Sequence, residues 1–117
     1  MTRAQTRCLL AVLALSQDGG AIASKDVADR LGIKRPTAHR TLTALADSGW
    51  IKKEYYGEIS LTPSGREQAE RLRLRLNRLT ACLTARLSLD CREAEQAAVY
   101  LMTELPETTL LRLEALS

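Results

Sequence analysis

The 117-residue sequence predicts a mainly α-helical chain, with one short β-hairpin set between two helical regions. Three observations predict it. Phe is absent and aromatic residues make up only 3%, so Leu and Ala must build the core, and both favour helices. The β-prone residues gather in two short runs around Gly57, between Trp50 and Leu61. From Ala69 onward, Leu72, Leu76, Leu79 and Leu83 follow at spacings of 3, 4, 3 and 4, which is one face of a helix.

The elements follow in order. Leu9, Leu10, Val12, Leu13 and Leu15 suit a first helix from about Thr2 to Gln17, closed by Asp18-Gly19-Gly20. Its apolar stretch behind two Arg imitates a secretion signal, but it is short and no small-residue cleavage site follows. No apolar run approaches the roughly 20 residues that span a bilayer, so a cytoplasmic location is expected. Ser24 offers an N-cap for a helix over Lys25 to Leu31, and Gly32 suits the left-handed residue that ends it. Pro36 opens a third helix running to about Ser48, with Ala38, Leu42 and Leu45 inward, and Gly49 stops it. The hairpin over Trp50–Leu61 comes next, turning near Gly57.

"LTPSG" then starts a long helix. Thr62 is a candidate cap, Pro63 suits the first position, and Ser64 with Glu67 has the spacing of a capping box. Read alone, Arg71-Leu72-Arg73-Leu74-Arg75-Leu76 alternates like a half-buried strand. The helical period spans four turns, however, and the stretch contains no Val, Ile or aromatic residue, so it belongs to a helix from about Pro63 to Arg86. Leu74 lies off the main stripe, which implies burial on a second side. Asp90 caps a further helix to Glu104, and Pro106 opens a short last one. The expected organisation is a reading unit over 1–65 and a helical dimerisation unit over 66–117, where surplus apolar faces call for a second copy.

Two short helices around a Gly-bearing turn, the second beginning with basic and small polar residues, make a helix-turn-helix, and the hairpin adds a wing. Charge supports the same reading. Residues 1–65 hold nine Lys/Arg against six Asp/Glu, whereas 66–117 hold eight of each. Within 34–53 five cations (Lys34, Arg35, Arg40, Lys52, Lys53) face Asp47 alone, the footprint expected where phosphates are met. A double-stranded DNA operator is therefore the expected partner. Arg40 is the candidate for base readout, because a guanidinium grips guanine through two bonds, and Pro36 suits a thymine methyl. Lys34, Arg35 and Thr37 are candidate phosphate contacts, as is Lys25 at a helix N-terminus. His39 lies on the exposed part of the second helix, and Lys52, Lys53, Tyr55 and Tyr56 on the wing reach toward backbone or minor groove. With one His, no glycine-rich phosphate loop and scattered carboxylates, no enzyme activity is expected. Cys8, Cys82 and Cys91 are odd in number, widely spaced and without a CxxC pair, which speaks against a disulfide framework or a zinc site.

Taken together, "DVADRLGIKRPTAHRTLTALADSGWIKKEYYGEISLTPSGREQAERL" resembles the winged-helix repressors of the diphtheria toxin repressor and manganese-regulator family. The later "LSLDCREAEQAAVYLMTELPETTLLRLEAL" is similar to that family's dimerisation region. The resemblance implies a homodimer on a palindromic operator, switched by iron or manganese held between the first helix, the long helix and the dimerisation helix. The family's ligand positions, carried over one at a time, fall near Arg7, Leu10, Leu76, Val99, Met102 and Thr103. Hard divalent cations need oxygen and imidazole ligands, which these side chains do not supply as a set. No metal cofactor is therefore expected at that site. The alternatives are a thiol site from Cys8, Cys82 and Cys91, or divalent metal elsewhere, at Glu93, Glu95 and Glu104.

The expectation is thus a homodimeric, sequence-specific DNA-binding transcriptional regulator, iron-dependent-repressor-like in fold and not switched by metal at the usual site. One alternative is a MarR-like regulator answering a small organic ligand, disfavoured because such proteins begin with an extra dimerisation helix. Another is a winged helix used only for protein contacts.

Overall fold

A computed structural model describes residues 1–116. Its elements run α1 (Arg3–Gln17), α2 (Ser24–Leu31), α3 (Arg35–Asp47), β1 (Ile51–Lys53), β2 (Ile59–Leu61), α4 (Pro63–Leu87), α5 (Cys91–Glu104) and α6 (Glu107–Glu114). This is the mainly α winged-helix architecture that the sequence predicts. Residues 2–70 form one compact unit and residues 71–116 another.

In the first unit α1, α2 and α3 pack on one another, with β2 against α1 and β1 against α3. The core is Leu9, Val12, Leu13, Val27, Ala28, Ala38, Leu42, Leu45, Ile51 and Ile59, all buried. Thr2 caps α1, its hydroxyl accepting from the Gln5 amide at 3.1 Å. The N-cap of α2 is Ala23 rather than Ser24, which is the first helical residue. Ala23 has no side-chain acceptor, so the end is secured from inside, its amide donating to the Asp26 carboxylate at 2.8 Å. Gly32 closes α2 with φ 68°, a left-handed conformation that costs Gly little. Pro36 stands in the first turn of α3, where its missing N–H is no loss.

The wing is a two-stranded antiparallel ladder pairing Ile51 with Leu61, Lys52 with Ser60 and Lys53 with Ile59. Ile22 adds an antiparallel bridge to Ile59, whose amide donates to the Ile22 carbonyl at 2.8 Å. The wing leads into α4 through a fastening centred on Thr62. Its hydroxyl donates to the Gly49 carbonyl at 2.7 Å and accepts from the Gly65 amide at 3.0 Å. Its own amide donates to the Trp50 carbonyl at 3.2 Å. Thr62 is therefore the cap of α4. Ser64 lies inside the helix with its hydroxyl 3.4 Å from the Gly49 carbonyl, so the Ser64–Glu67 capping box expected from spacing does not form.

The alternating stretch is helical, as the longer period required. At 25 residues α4 extends ~37 Å. Ala69, Leu76, Leu79 and Cys82 are buried on its stripe. Leu74, expected to give the helix a second buried side, is instead 52% exposed. Two residues from Leu76, it projects ~200° around the axis, away from the stripe.

In the second unit Asp90 caps α5 through the Glu93 amide at 2.8 Å, and Ala94, Ala98 and Val99 are buried. Arg75 ties α4 to α6. Its guanidinium donates twice to Glu107, through Nη1 at 2.7 Å, and through Nε to Glu114 at 2.8 Å. These bonds hold the Glu107 carboxyl below the usual carboxylate range. A depressed folded value means stability that is full above the unfolded value, ~4.3, and lost as pH falls through the folded one. Arg75→Met should therefore lower the melting temperature at neutral pH, and the gap from wild type should close as the pH is taken below about 4. Thermal melts across a pH series measure this directly. A gap that stays constant with pH would mean that the loss of Arg75 packing, not of its charge, is what matters.

Candidate nucleic-acid interface

The inward stripe of α3, Ala38, Leu42 and Leu45, fixes which side chains face outward. Pro36, His39, Arg40 and Thr43 are exposed and succeed one another at helical spacing. Lys34 is the N-cap of α3 and Arg35 its first residue, both exposed, while Thr37 is half-buried. Lys25 is exposed on the first turn of α2. Among the described residues Lys25, Lys34, Arg35 and Arg40 enter no ion pair or side-chain hydrogen bond, so their charges are open to a partner. Arg40 also lines a shallow open groove with Thr2, Gln5, Thr37, Thr41 and Ala44.

The two wing lysines differ. Neighbours on a strand project to opposite faces. Lys52 is exposed and pairs with Glu54 at 3.3 Å. Lys53 turns toward α3, its Nζ 3.1 Å from Nδ1 of His39. The hairpin closes through the Glu54 amide to the Glu58 carbonyl at 2.9 Å, and Gly57 takes the turn at φ 93°. Tyr55 and Tyr56 form the tip, their rings edge to face at 5.2 Å. Tyr55 is 99% exposed and Tyr56 63%, so neither serves hairpin packing. Desolvation, then a hydrogen bond with Glu58 and the nearby Glu58 and Glu54 charges, raise the Tyr56 phenol above its ordinary value, so it is a neutral donor at physiological pH.

The structure brings Lys34, Arg35, Pro36, His39, Arg40 and Lys53 onto or beside one helix. Two features escaped the sequence reading. Thr43 shares the outward face one turn beyond His39, a position that the i, i+4 rule marks in retrospect. The Lys53–His39 contact spans 14 residues and leaves no local signal.

The positions where related regulators would hold a divalent ion give a different picture. Leu76 and Val99 are buried apolar residues, and the Thr103 hydroxyl donates to the Val99 carbonyl at 3.0 Å. Arg7 is exposed, its Nη2 donating to the Leu31 carbonyl at 3.4 Å. Leu10 and Met102 are half-buried. Among the described residues no three His, Cys, Asp or Glu side chains gather closely enough to hold a metal ion. The donor set at these positions does not fit a hard divalent cation. Burial pushes the Cys8 thiol up to about 11, outweighing Arg7 and Thr41, so it stays protonated near neutral pH and is a poor thiolate ligand. Cys82 is buried and its thiol meets the Leu113 carbonyl at 3.7 Å, whereas Cys91 is exposed. No helix among the described residues is long and apolar enough to cross a membrane.

A helix-turn-helix with an unpaired basic outer face and a wing tied to its second helix defines the winged-helix class. The chain belongs to the family of the HVO_A0261 N-terminal domain, whose model matches residues 3–84. Among solved structures, the metal-dependent transcriptional regulator MtsR shares the fold at a TM-score of 0.80 and 20% identity, over 95% of this chain and 52% of that one. IdeR of T. acidophilum does so at 0.71 and 22%, over 92% and 51%. MepR, a transcription regulator of a multidrug efflux pump in Staphylococcus aureus, matches at 0.54 and 25%, over 93% and 77%. This chain spans about half the length of the first two structures. No curated protein matches it in sequence. The fold is thus that of the regulators the sequence resembles, and these matches are transcription regulators rather than enzymes.

Proposed function

We propose that the chain is a DNA-binding transcription regulator that works as a homodimer in the cytoplasm on a palindromic operator. The observation that carries this reading is the outward face of α3, where Arg40, Arg35 and Lys34 are exposed and unpaired beside a wing tied to the same helix. On that reading α3 enters the major groove, with Arg40 gripping a guanine and Pro36 against a thymine methyl. Lys25, Lys34, Arg35 and Thr37 hold phosphates, and Lys52, Tyr55 and Tyr56 follow the backbone or minor groove. Dimerisation is supported by Leu74, Leu87, Tyr100, Leu111 and Leu116, each more than half exposed in the 71–116 unit. A two-fold dimer reads a two-fold site, hence the palindrome.

We further propose that binding is independent of divalent metal at the position related regulators use, since Arg7, Leu76 and Val99, the residues the resemblance carries to those ligand positions, offer no oxygen or imidazole donor. A gel-shift assay against DNA from the protein's own promoter region, with and without chelator at two salt concentrations, tests both readings. Binding that ignores chelator and weakens steeply with salt is expected. Loss of binding on chelation overturns the metal-independent reading. Absence of binding at low salt overturns the DNA reading and points to a protein-interaction module.

A further inference from the structure

Lys53 and His39 determine one another's chemistry. A lysine ammonium carries three donors and no acceptor. At 3.1 Å from Lys53 Nζ, Nδ1 of His39 must therefore offer its lone pair. A neutral imidazole has one N–H, so the proton sits on Nε2. That atom meets no partner among the described residues, and His39 is exposed on the face shared with Pro36, Arg40 and Thr43. The ring is thus fixed as a single outward hydrogen-bond donor. In the major groove a donor is matched by guanine N7 and O6, adenine N7 or thymine O4, and it finds no acceptor on cytosine.

We propose that His39 is a specificity-determining donor to a guanine N7, where O6 beside it is a second acceptor. Lys53 is its positioning residue: it acts through His39 by holding Nδ1 as acceptor and the ring against β1. The inference rests on the DNA-binding reading above.

Two measurements test it on the full chain. The sequence contains one histidine, so its ring nitrogens give a single set of nitrogen-15 signals. At alkaline pH, with the ring neutral, Nδ1 should be unprotonated and Nε2 protonated, and Lys53→Met should raise the share of the other tautomer. A neutral ring protonated on Nδ1 in the wild type overturns the proposal.

The second measurement uses duplexes selected from a random library, with 7-deazaguanine placed at each guanine in turn. Apart from the guanine that Arg40 grips, one position should lose roughly 3- to 10-fold in affinity for the wild type, the worth of one hydrogen bond. That loss should vanish in His39→Ala and shrink in Lys53→Met. If no duplex is retained, the DNA-binding reading falls and takes this inference with it. If duplexes bind but no guanine shows a loss that depends on His39, the inference alone falls.

Discussion

Gly65→Ala should destabilise the first unit by about 3 kcal/mol or more, a drop of roughly 10–20 °C in melting temperature. A Cβ at this buried position would overlap the Trp50 carbonyl oxygen outright and stand 2.6 Å from its carbon and 3.0 Å from its Cα. All three are backbone atoms, so no side-chain rotation relieves the clash. The first turn of α4 would have to withdraw from the start of β1, breaking the Thr62–Trp50 bond at 3.2 Å and the Thr62–Gly65 cap at 3.0 Å. Gly32→Ala is the informative contrast. Nothing lies within 4 Å of a Cβ there, and only the left-handed φ of 68° opposes it, at about 1 kcal/mol. Urea or thermal unfolding of both variants would separate the two causes. Equal losses would mean that the close approach of α4 to Trp50 is not a structural constraint.

Removing Lys34, Arg35 and Arg40 together should nearly abolish DNA binding while leaving the fold intact. The three side chains are exposed and make no ion pair among the described residues, so the melting temperature of the triple alanine variant should be unchanged. Each phosphate contact neutralised contributes about 0.9 to the slope of log affinity against log salt. Losing two phosphate contacts and a guanine contact should lower affinity on the order of 10²–10³ at moderate salt and flatten the slope by about 2. Titrations at several salt concentrations would show both effects. An unchanged slope would place these cations away from the phosphates and shift the burden to the wing.

Much of this architecture was legible locally. The 3-4 spacing of Ala69, Leu72, Leu76, Leu79 and Leu83 outweighed a strand-like alternation because a helix needs several turns of consistent pattern, whereas "RLRLRL" offers only six residues. Gly32 and Asp90 were readable because caps are set by one or two neighbouring residues. The outward face of α3 followed once its inward stripe was known. Misreadings arose where several residues competed for one local role. Ser24, Ala23 and Asp26 all stand at the start of α2, and the Asp26 carboxylate prevails by reaching back to the Ala23 amide. Ser64 and Thr62 compete likewise, and Thr62 prevails because it also meets the Gly49 carbonyl. The contacts that tie elements together, Lys53 to His39, Arg75 to Glu107 and Glu114, and Gly65 to Trp50, join residues 14 to 39 apart. No window of sequence contains both partners with a pattern that marks them.

The fastening at Thr62 has a mechanical consequence. One side chain holds the carbonyl of residue 49 and the amide of residue 65, and its own amide holds residue 50. The root of the wing and the first turn of α4 are therefore welded rather than hinged. Torque on that turn passes straight into the hairpin, since no flexible residue lies between them to absorb it. Any freedom the wing has to adapt to a partner must come from its tip, the five residues from Glu54 to Glu58, and not from its base.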